Sequence, residues 1–177
     1  RKDILALLNS KLIFFYLKNH CSTLQGGYYD FRRPYIEKIP ITNLLLNENH
    51  ELINLSDKAT ELYSDLNSKL NTFVSLLKSK FSLDRITKKA ENWHELEFND
   101  FITELNKIRK KAAKENKIDF LKLTLSQESE WMQYFNNEKQ KVHQIQIQII
   151  EVNKTINQIV YGMYGLTHEE IEIITNS

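Results

Sequence analysis

Five side chains in a short segment near the start of the chain have the chemistry to contact nucleic acid. They are Gln25, Tyr28, Tyr29, Arg32 and Arg33. An arginine can donate two parallel hydrogen bonds to guanine or hold a phosphate, and a glutamine can pair with adenine. In the alternative interpretation, the tyrosines pack inside the fold and the arginines support it. We take these residues as candidate contacts to double-stranded DNA.

A run of basic residues in the middle of the chain is a second candidate. Its members are Lys107, Arg109, Lys110, Lys111, Lys114 and Lys117. Such a run is usually a solvated helix face, and the alternative is contact with phosphates. Phosphate contacts would not depend on DNA sequence and would be weakened by salt. We take Lys107, Arg109, Lys110 and Lys111 as the candidate contacts in this run.

No set of residues in the sequence is typical of catalysis. The five histidines are dispersed, and no pair has the i, i+4 spacing of metal ligands on one helix. Cys21 follows His20, but adjacency in sequence is not the geometry of a nucleophile and its base. The Asn-Pro-Pro-Tyr motif that holds a flipped adenine is missing from the sequence. We therefore expect no catalytic residue and no metal site.

The distribution of charge leaves one end of the chain positive. The formal net charge is only +1 at pH 7, which excludes a polycation. The first 40 residues nevertheless contain seven Lys or Arg against three Asp or Glu. This bias permits a phosphate-facing surface without requiring one.

Composition also constrains the fold class and the compartment. Four Gly and two Pro in 177 residues favour long helices over a sandwich or barrel. The single cysteine, Cys21, excludes an internal disulfide and suits a reducing cytoplasm. The longest apolar run, residues 12–17, is too short to cross a membrane. The chain begins at Arg1 rather than Met, and we expect it to be part of a longer polypeptide.

Two heptad patterns predict the long helices that must position these side chains. The first pattern consists of Ala59, Tyr63, Leu66, Leu70, Phe73 and Leu77. The second consists of Val142, Ile145, Ile149, Val152, Ile156, Ile159 and Met163. Such seams need partner helices. We predict helices over residues 55–82 and 127–163, with Ser126 as the N-cap of the second and Gly165 at its end.

Shorter elements are predicted before the first long helix. Residues 3–18 are strongly apolar and indicate a buried helix. Residues 28–31 are compatible with a short strand. Pro34 suits the first turn of a short helix that runs through Lys38.

Residues 41–54, before the first long helix, are predicted to be a connector. Other short elements follow each long helix. Residues 83–124 contain one or two short amphipathic helices, with a start near Asn99 or Asp100. The Thr-His-Glu-Glu sequence at residues 167–170 has the spacing of a capping box that begins a final helix.

Together these elements predict a mainly α fold. Its centre is a long antiparallel, coiled-coil-like helix pair, with shorter helices packed on it. At the N-terminal end we expect a small remnant of a mixed α/β recognition domain.

Three segments resemble the C-terminal specificity region of type IIG restriction-modification enzymes and related adenine-N6 DNA methyltransferases. The first combines LLNSKL at residues 7–12 with an aromatic and basic segment that ends in IPI at residues 39–41. The second is residues 93–105. The third combines residues 123–135 with the ending VYGMYGLTHEEI at residues 160–171.

The resemblance implies that residues 1–54 are the C-terminal part of a DNA target recognition domain and that residues 55–177 are a helical spacer. It implies a parent enzyme that methylates adenine from S-adenosylmethionine and, where an endonuclease is fused, cuts DNA with Mg²⁺. No cofactor is expected in this chain itself. The expected partners are double-stranded DNA and the methyltransferase core of the same parent chain or a partner subunit.

Two other classes of function are weighed against this one. A coiled-coil module for protein–protein contact or dimerisation, without DNA binding, would explain the heptads equally well. A stand-alone enzyme has no supporting set of residues. A chain that stays monomeric at high concentration would favour an internal helix pair over pairing between chains.

Overall fold

The computed structural model describes residues 1–22, 25–26, 28–29, 32–41 and 47–176. This part of the chain is mostly helical and contains no β-strand, which confirms the predicted mainly α fold. Its helices are α1 (Lys2–Leu8), α2 (Lys11–His20), α3 (Arg33–Ile36), α4 (His50–Phe81), α5 (Lys88–Glu91), α6 (Phe98–Glu115), α7 (Leu125–Met163) and α8 (His168–Asn176). No helix in the described ranges is both long and apolar enough to cross a membrane.

The first predicted helix is two helices in the structure. Asn9 ends α1, and Ser10 is the N-cap of α2, where the Ile13 N–H donates to Ser10 Oγ at 3.4 Å. Serine favours this position because its oxygen satisfies a backbone N–H that has no partner within the helix. The prediction of one continuous helix over residues 3–18 is therefore wrong at this break.

The predicted strand at residues 28–31 lies partly outside the described residues. Tyr28 and Tyr29 are described, and Tyr29 takes part in a single β-bridge. The predicted helix at Pro34 is α3, which ends at Ile36 rather than Lys38. The described part of the N-terminal segment is thus helical apart from its turns and that bridge.

One compact unit consists of residues 1–61 and 149–177. The Lys11 N–H at the start of α2 donates to Asn157 Oδ1 of α7 at 2.8 Å. Its most deeply buried apolar residues include Ala6, Leu7, Ile13, Leu52 and Val160. The short N-terminal helices and the C-terminal part of α7 therefore share one packed unit.

The other compact unit consists of residues 62–148 and has an aromatic core. Phe73 of α4 stacks on Trp93 with ring centres 3.8 Å apart, and Phe101 stacks on Phe135 with centres 4.9 Å apart. All four side chains are at most 1% exposed. Trp93 lies in a single turn of 3₁₀ helix between α5 and α6.

Aromatic contacts fix the direction of α4 against α7 within this second unit. Phe73 stacks on Tyr134 with ring centres 5.5 Å apart. Phe81 lies about two turns later in α4, and its ring centre is 5.4 Å from that of Trp131. Trp131 comes before Tyr134 in α7. The two helices are therefore antiparallel here, as the heptad patterns predict.

Both compact units contain part of each long helix, because α4 crosses residue 61 and α7 crosses residue 148. The division by packing does not follow the predicted domain boundary after residue 54. That boundary stays a prediction about sequence domains.

The first long helix begins earlier than predicted. α4 starts at His50, inside the connector expected at residues 41–54, because Asn49 caps it by accepting from the Leu52 N–H at 3.0 Å. Residues 42–46 of that connector lie outside the described residues.

A capping box sets the start of the second long helix. Thr124 Oγ1 accepts from the Gln127 N–H at 3.3 Å, and Gln127 Oε1 accepts from the Thr124 N–H at 3.0 Å. The prediction of Ser126 as N-cap is wrong, because this reciprocal pair satisfies two backbone groups at once. Ser126 lies inside α7, which begins at Leu125.

The predicted end of α7 and the predicted start of the last helix are both confirmed. Gly165 follows α7 with φ +63°, a conformation that glycine adopts without strain. The Thr167 N–H donates to Glu170 Oε2 at 2.8 Å, and the Glu170 N–H donates to Thr167 Oγ1 at 3.3 Å. Between the long helices, α6 begins at Phe98, close to the predicted start.

Candidate nucleic-acid interface

The aromatic and amide members of the N-terminal candidate set differ in exposure. Gln25 is exposed in a turn, and Tyr28 is 73% exposed. Tyr29 is half-buried, and its ring meets the Phe14 ring edge-on with centres 6.1 Å apart. Gln25 and Tyr28 are therefore accessible to a ligand, whereas Tyr29 contributes to packing.

The two arginines of this set lie at the start of α3. Arg32 directly precedes the helix and is exposed, and the Arg33 side chain is 85% exposed. Arg33 Nε lies 2.5 Å from Glu37 Oε1, one turn along the helix. Because exposed ion pairs contribute little to stability, the Arg33 guanidinium can exchange Glu37 for a phosphate or a base.

Hydrogen bonds of two tyrosines hold α3 in place. The Tyr16 hydroxyl of α2 donates to the Lys38 carbonyl at 2.9 Å, just beyond the end of α3. The Tyr35 hydroxyl of α3 lies 2.7 Å from Ser22 Oγ. The segment around α2 therefore holds α3, which begins with Arg33 directly after Arg32, through two hydrogen bonds.

Two of the quoted sequence motifs meet next to this helix. The Tyr164 hydroxyl, in the YGLT motif, donates a hydrogen bond to the carbonyl of Pro40, in the IPI motif. Burial raises the pKa of Tyr164, so the hydroxyl keeps its proton and remains a donor at neutral pH. The C-terminal motif thus supports the end of the N-terminal segment.

Arg109 differs from the lysines of the basic run. It is half-buried, and its terminal nitrogens donate to the Leu121 carbonyl at 2.9 Å and to Asn106 Oδ1 at 3.1 Å. Its guanidinium carbon also lies 4.5 Å from the centre of the Phe81 ring. Burial lowers the pKa of Arg109, although the group stays charged at neutral pH. Its geometry suits packing better than contact with DNA.

The candidate lysines are exposed on α6. The ammonium group of Lys107 lies 3.8 Å from Glu104 Oε2, and that of Lys111 lies 3.9 Å from Glu115 Oε1. Lys110 Nζ lies 5.4 Å from the centre of the Phe120 ring. None of these contacts buries an ammonium group, so all three lysines remain accessible to an anion.

Sequence reasoning missed one basic residue next to this run. Arg85 lines a groove of about 550 Å³ together with Lys107 and Lys111. No sequence signal could have found it, because Arg85 precedes Lys107 by more than twenty residues and the packing of α5 on α6 brings them to one groove.

Comparison with known families divides the chain into two parts. Residues 46–160 match the family described as a domain of unknown function, DUF8810. Because this match covers more than half of the chain, the chain belongs to that family. Residues 1–41 match the TaqI-like C-terminal specificity domain. No curated protein and no solved structure matches the chain.

The second match confirms the coarser part of the predicted resemblance. The match supports a restriction-modification specificity region at residues 1–41. All five N-terminal candidate residues fall within this match, whereas the lysines of α6 fall within the family match at residues 46–160. The interpretation as an interaction module without a DNA role is not favoured.

Proposed function

We propose that this chain is the C-terminal DNA-recognition and spacer module of a type IIG restriction-modification enzyme that methylates adenine at N6. The match of residues 1–41 to a TaqI-like specificity domain carries the proposal. Methyl transfer, and cleavage where an endonuclease is fused, belong to the parent enzyme together with S-adenosylmethionine and Mg²⁺. This chain is non-catalytic and acts in the cytoplasm, where it positions DNA against the methyltransferase core.

In this proposal, the arginines at the start of α3 make the DNA contacts. Arg32 and Arg33 are exposed, and the hydrogen bonds around α2 hold their helix in place. A fixed helix lowers the entropy cost of presenting two guanidinium groups to a groove or to the phosphate backbone. The long helices serve as a spacer.

Methylation by the whole enzyme tests the proposal directly. The reading frame that contains this chain should be expressed together with its upstream coding sequence. We expect an upstream Asn-Pro-Pro-Tyr motif and transfer of labelled methyl groups from S-adenosylmethionine to adenine N6 in duplex DNA. A frame without that motif and without methyl transfer would contradict the type IIG assignment, while residues 1–41 would remain a specificity region.

A double substitution tests the residues that carry recognition. Arg32→Ala with Arg33→Ala should weaken binding of the enzyme to the DNA site that it methylates by about tenfold or more. Circular dichroism should show that the helicity of the variant is unchanged. The control is Lys58→Ala with Lys154→Ala, which removes the same charge from exposed positions on α4 and α7. Equal binding by the arginine variant and the control would refute the role of these arginines.

A further inference from the structure

Four lysines form one continuous face of α6. At about 100° per residue, Lys107, Lys110, Lys111 and Lys114 fall within an arc of about 100° on the helix surface. All four are exposed. Away from this face lie buried apolar residues of the helix, which include Phe101, Leu105 and Ile108. The direction of this positive face is therefore set by the packing of α6.

Arg85 adds a fifth positive group from a different segment. It lines one groove together with Lys107 and Lys111, and the acidic residues Asp84 and Glu115 line the same groove. These two acids offset part of the positive charge, but the five basic residues of the surface outnumber them.

The segment that carries Arg85 is fixed at both ends. Before it, the Leu83 N–H donates to the Lys78 carbonyl at 2.9 Å, and the Leu83 side chain is buried. After it, the Thr87 hydroxyl donates to Glu104 Oε1 of α6 at 2.7 Å and accepts from the Ala90 N–H at 3.2 Å. Arg85 is consequently held on the same side of the unit as the α6 lysines.

We propose that this surface, Arg85 with the four lysines of α6, binds the phosphate backbone of duplex DNA without regard to sequence. The lysines extend over about 10 Å of the helix axis, and duplex DNA carries one negative charge per about 1.7 Å. Several phosphates can therefore lie within reach at once. The proposal rests on the proposed function in one respect, because the specificity region in the same chain brings the DNA.

The lysine face also fits a backbone contact better than base reading. Ammonium groups act as point charges and lack the planar fork that reads guanine. Arg109, the only arginine of the basic run, has both terminal nitrogens engaged inside the unit. The surface can therefore hold DNA tightly while leaving sequence choice to the specificity region.

The test measures binding of the 177-residue chain to a fluorescent duplex of random sequence over a range of salt concentrations. The variant is Lys110→Gln, Lys111→Gln and Lys114→Gln. Lys107 is retained because it lies 3.8 Å from the buried carboxylate of Glu104. We expect affinity at low salt to fall about tenfold or more, and the slope of log K against log salt to become shallower by about two to three.

Two controls make the result specific. Lys58→Gln, Lys80→Gln and Lys154→Gln remove the same charge from exposed positions elsewhere on α4 and α7 and should change the slope much less. Lys110→Arg, Lys111→Arg and Lys114→Arg should keep the affinity, because a phosphate contact needs only the positive charge.

Three outcomes would overturn the inference: no measurable binding by the unaltered chain, an unchanged slope in the glutamine variant, or an equal loss in the charge-matched control. The inference and the proposed function can fail separately. Suppose that the α6 variant loses salt-dependent binding while the Arg32 and Arg33 variant still chooses its DNA site normally. That result would support the lysine surface and would reject only the recognition role of the two arginines. The reverse pattern would reject the lysine surface alone.

Discussion

The guanidinium carbon of Arg109 lies 4.5 Å from the centre of the Phe81 ring, so a residue of the basic run packs against the end of α4. One terminal nitrogen of the same side chain donates to the Leu121 carbonyl in the segment before α7. Arg109 thus connects three parts of the second unit. Its neighbour in sequence, Lys110, is exposed on α6.

Arg109→Gln should therefore destabilise the protein. The substitution removes a cation–π contact and two charged hydrogen bonds of a half-buried side chain, and together these predict a loss of about 1–2 kcal/mol in the free energy of unfolding. Urea denaturation followed by circular dichroism measures this loss. Lys110→Gln is the matched control and should stay within about 0.5 kcal/mol of the unaltered chain. Equal effects of the two substitutions would show that the packing of Arg109 contributes nothing.

Phe73 is the centre of the aromatic core in the second unit. It is 1% exposed, and its ring stacks both on Trp93 of the 3₁₀ turn and on Tyr134 of α7. Phe73→Ala should lower the free energy of unfolding by about 3–5 kcal/mol, because it leaves a cavity among buried rings. The measurement is again the urea midpoint.

A second aromatic residue on the same helix provides the control for Phe73. Tyr63 is 47% exposed, so Tyr63→Ala removes much less buried surface and should cost well under half as much. A loss at Phe73 no larger than at Tyr63 would contradict the aromatic core.

Local periodicity predicted the elements whose signals lie within one stretch of sequence. The heptad patterns located α4 and α7 because their apolar residues must face a partner. The capping box at Thr167 could also be predicted, because its two members, Thr167 and Glu170, are only three residues apart. The end of α7 at Gly165 likewise depends on one residue with positive φ.

Features that depend on competition between neighbours or on tertiary contacts could not be predicted. Ser126 was the predicted N-cap of α7, but the reciprocal hydrogen bonds between Thr124 and Gln127 make Thr124 the cap. The different surroundings of Arg109 and Lys110 depend on the position of Phe81, which is remote in sequence. The nearness of Arg85 to the α6 lysines depends on tertiary packing in the same way.

The start of α7 offers a test of that choice between caps. Thr124→Ala removes the side-chain acceptor of the Gln127 N–H and should cost about 1 kcal/mol of unfolding free energy. Ser126→Ala should cost much less, because Ser126 lies inside the helix and its hydroxyl makes a long hydrogen bond, 3.5 Å, to Glu130 Oε1. Amide hydrogen exchange at residues 125–128 should accelerate in the first variant. Acceleration in the second variant instead would restore Ser126 as the cap.

Asp3 makes the stability of the first unit depend on pH. Its side chain is fully buried, and the Arg1 guanidinium at 2.5 Å holds the pKa of Asp3 well below its usual range. The ionised form therefore stabilises the folded state at pH values above about 4, the usual pKa of an aspartate. That contribution is lost progressively as the pH falls below this value, because the unfolded chain then takes up the proton first.

Asp3→Asn should lower the free energy of unfolding by about 1–3 kcal/mol at neutral pH, since it removes charged hydrogen bonds to a buried group. The difference from the unaltered chain should shrink in urea titrations at about pH 3. Asp57→Asn is the control, because Asp57 pairs with Lys2 while 49% exposed and should matter little at either pH. A difference that persists undiminished in acid would mean that Asp3 acts through packing rather than through its charge.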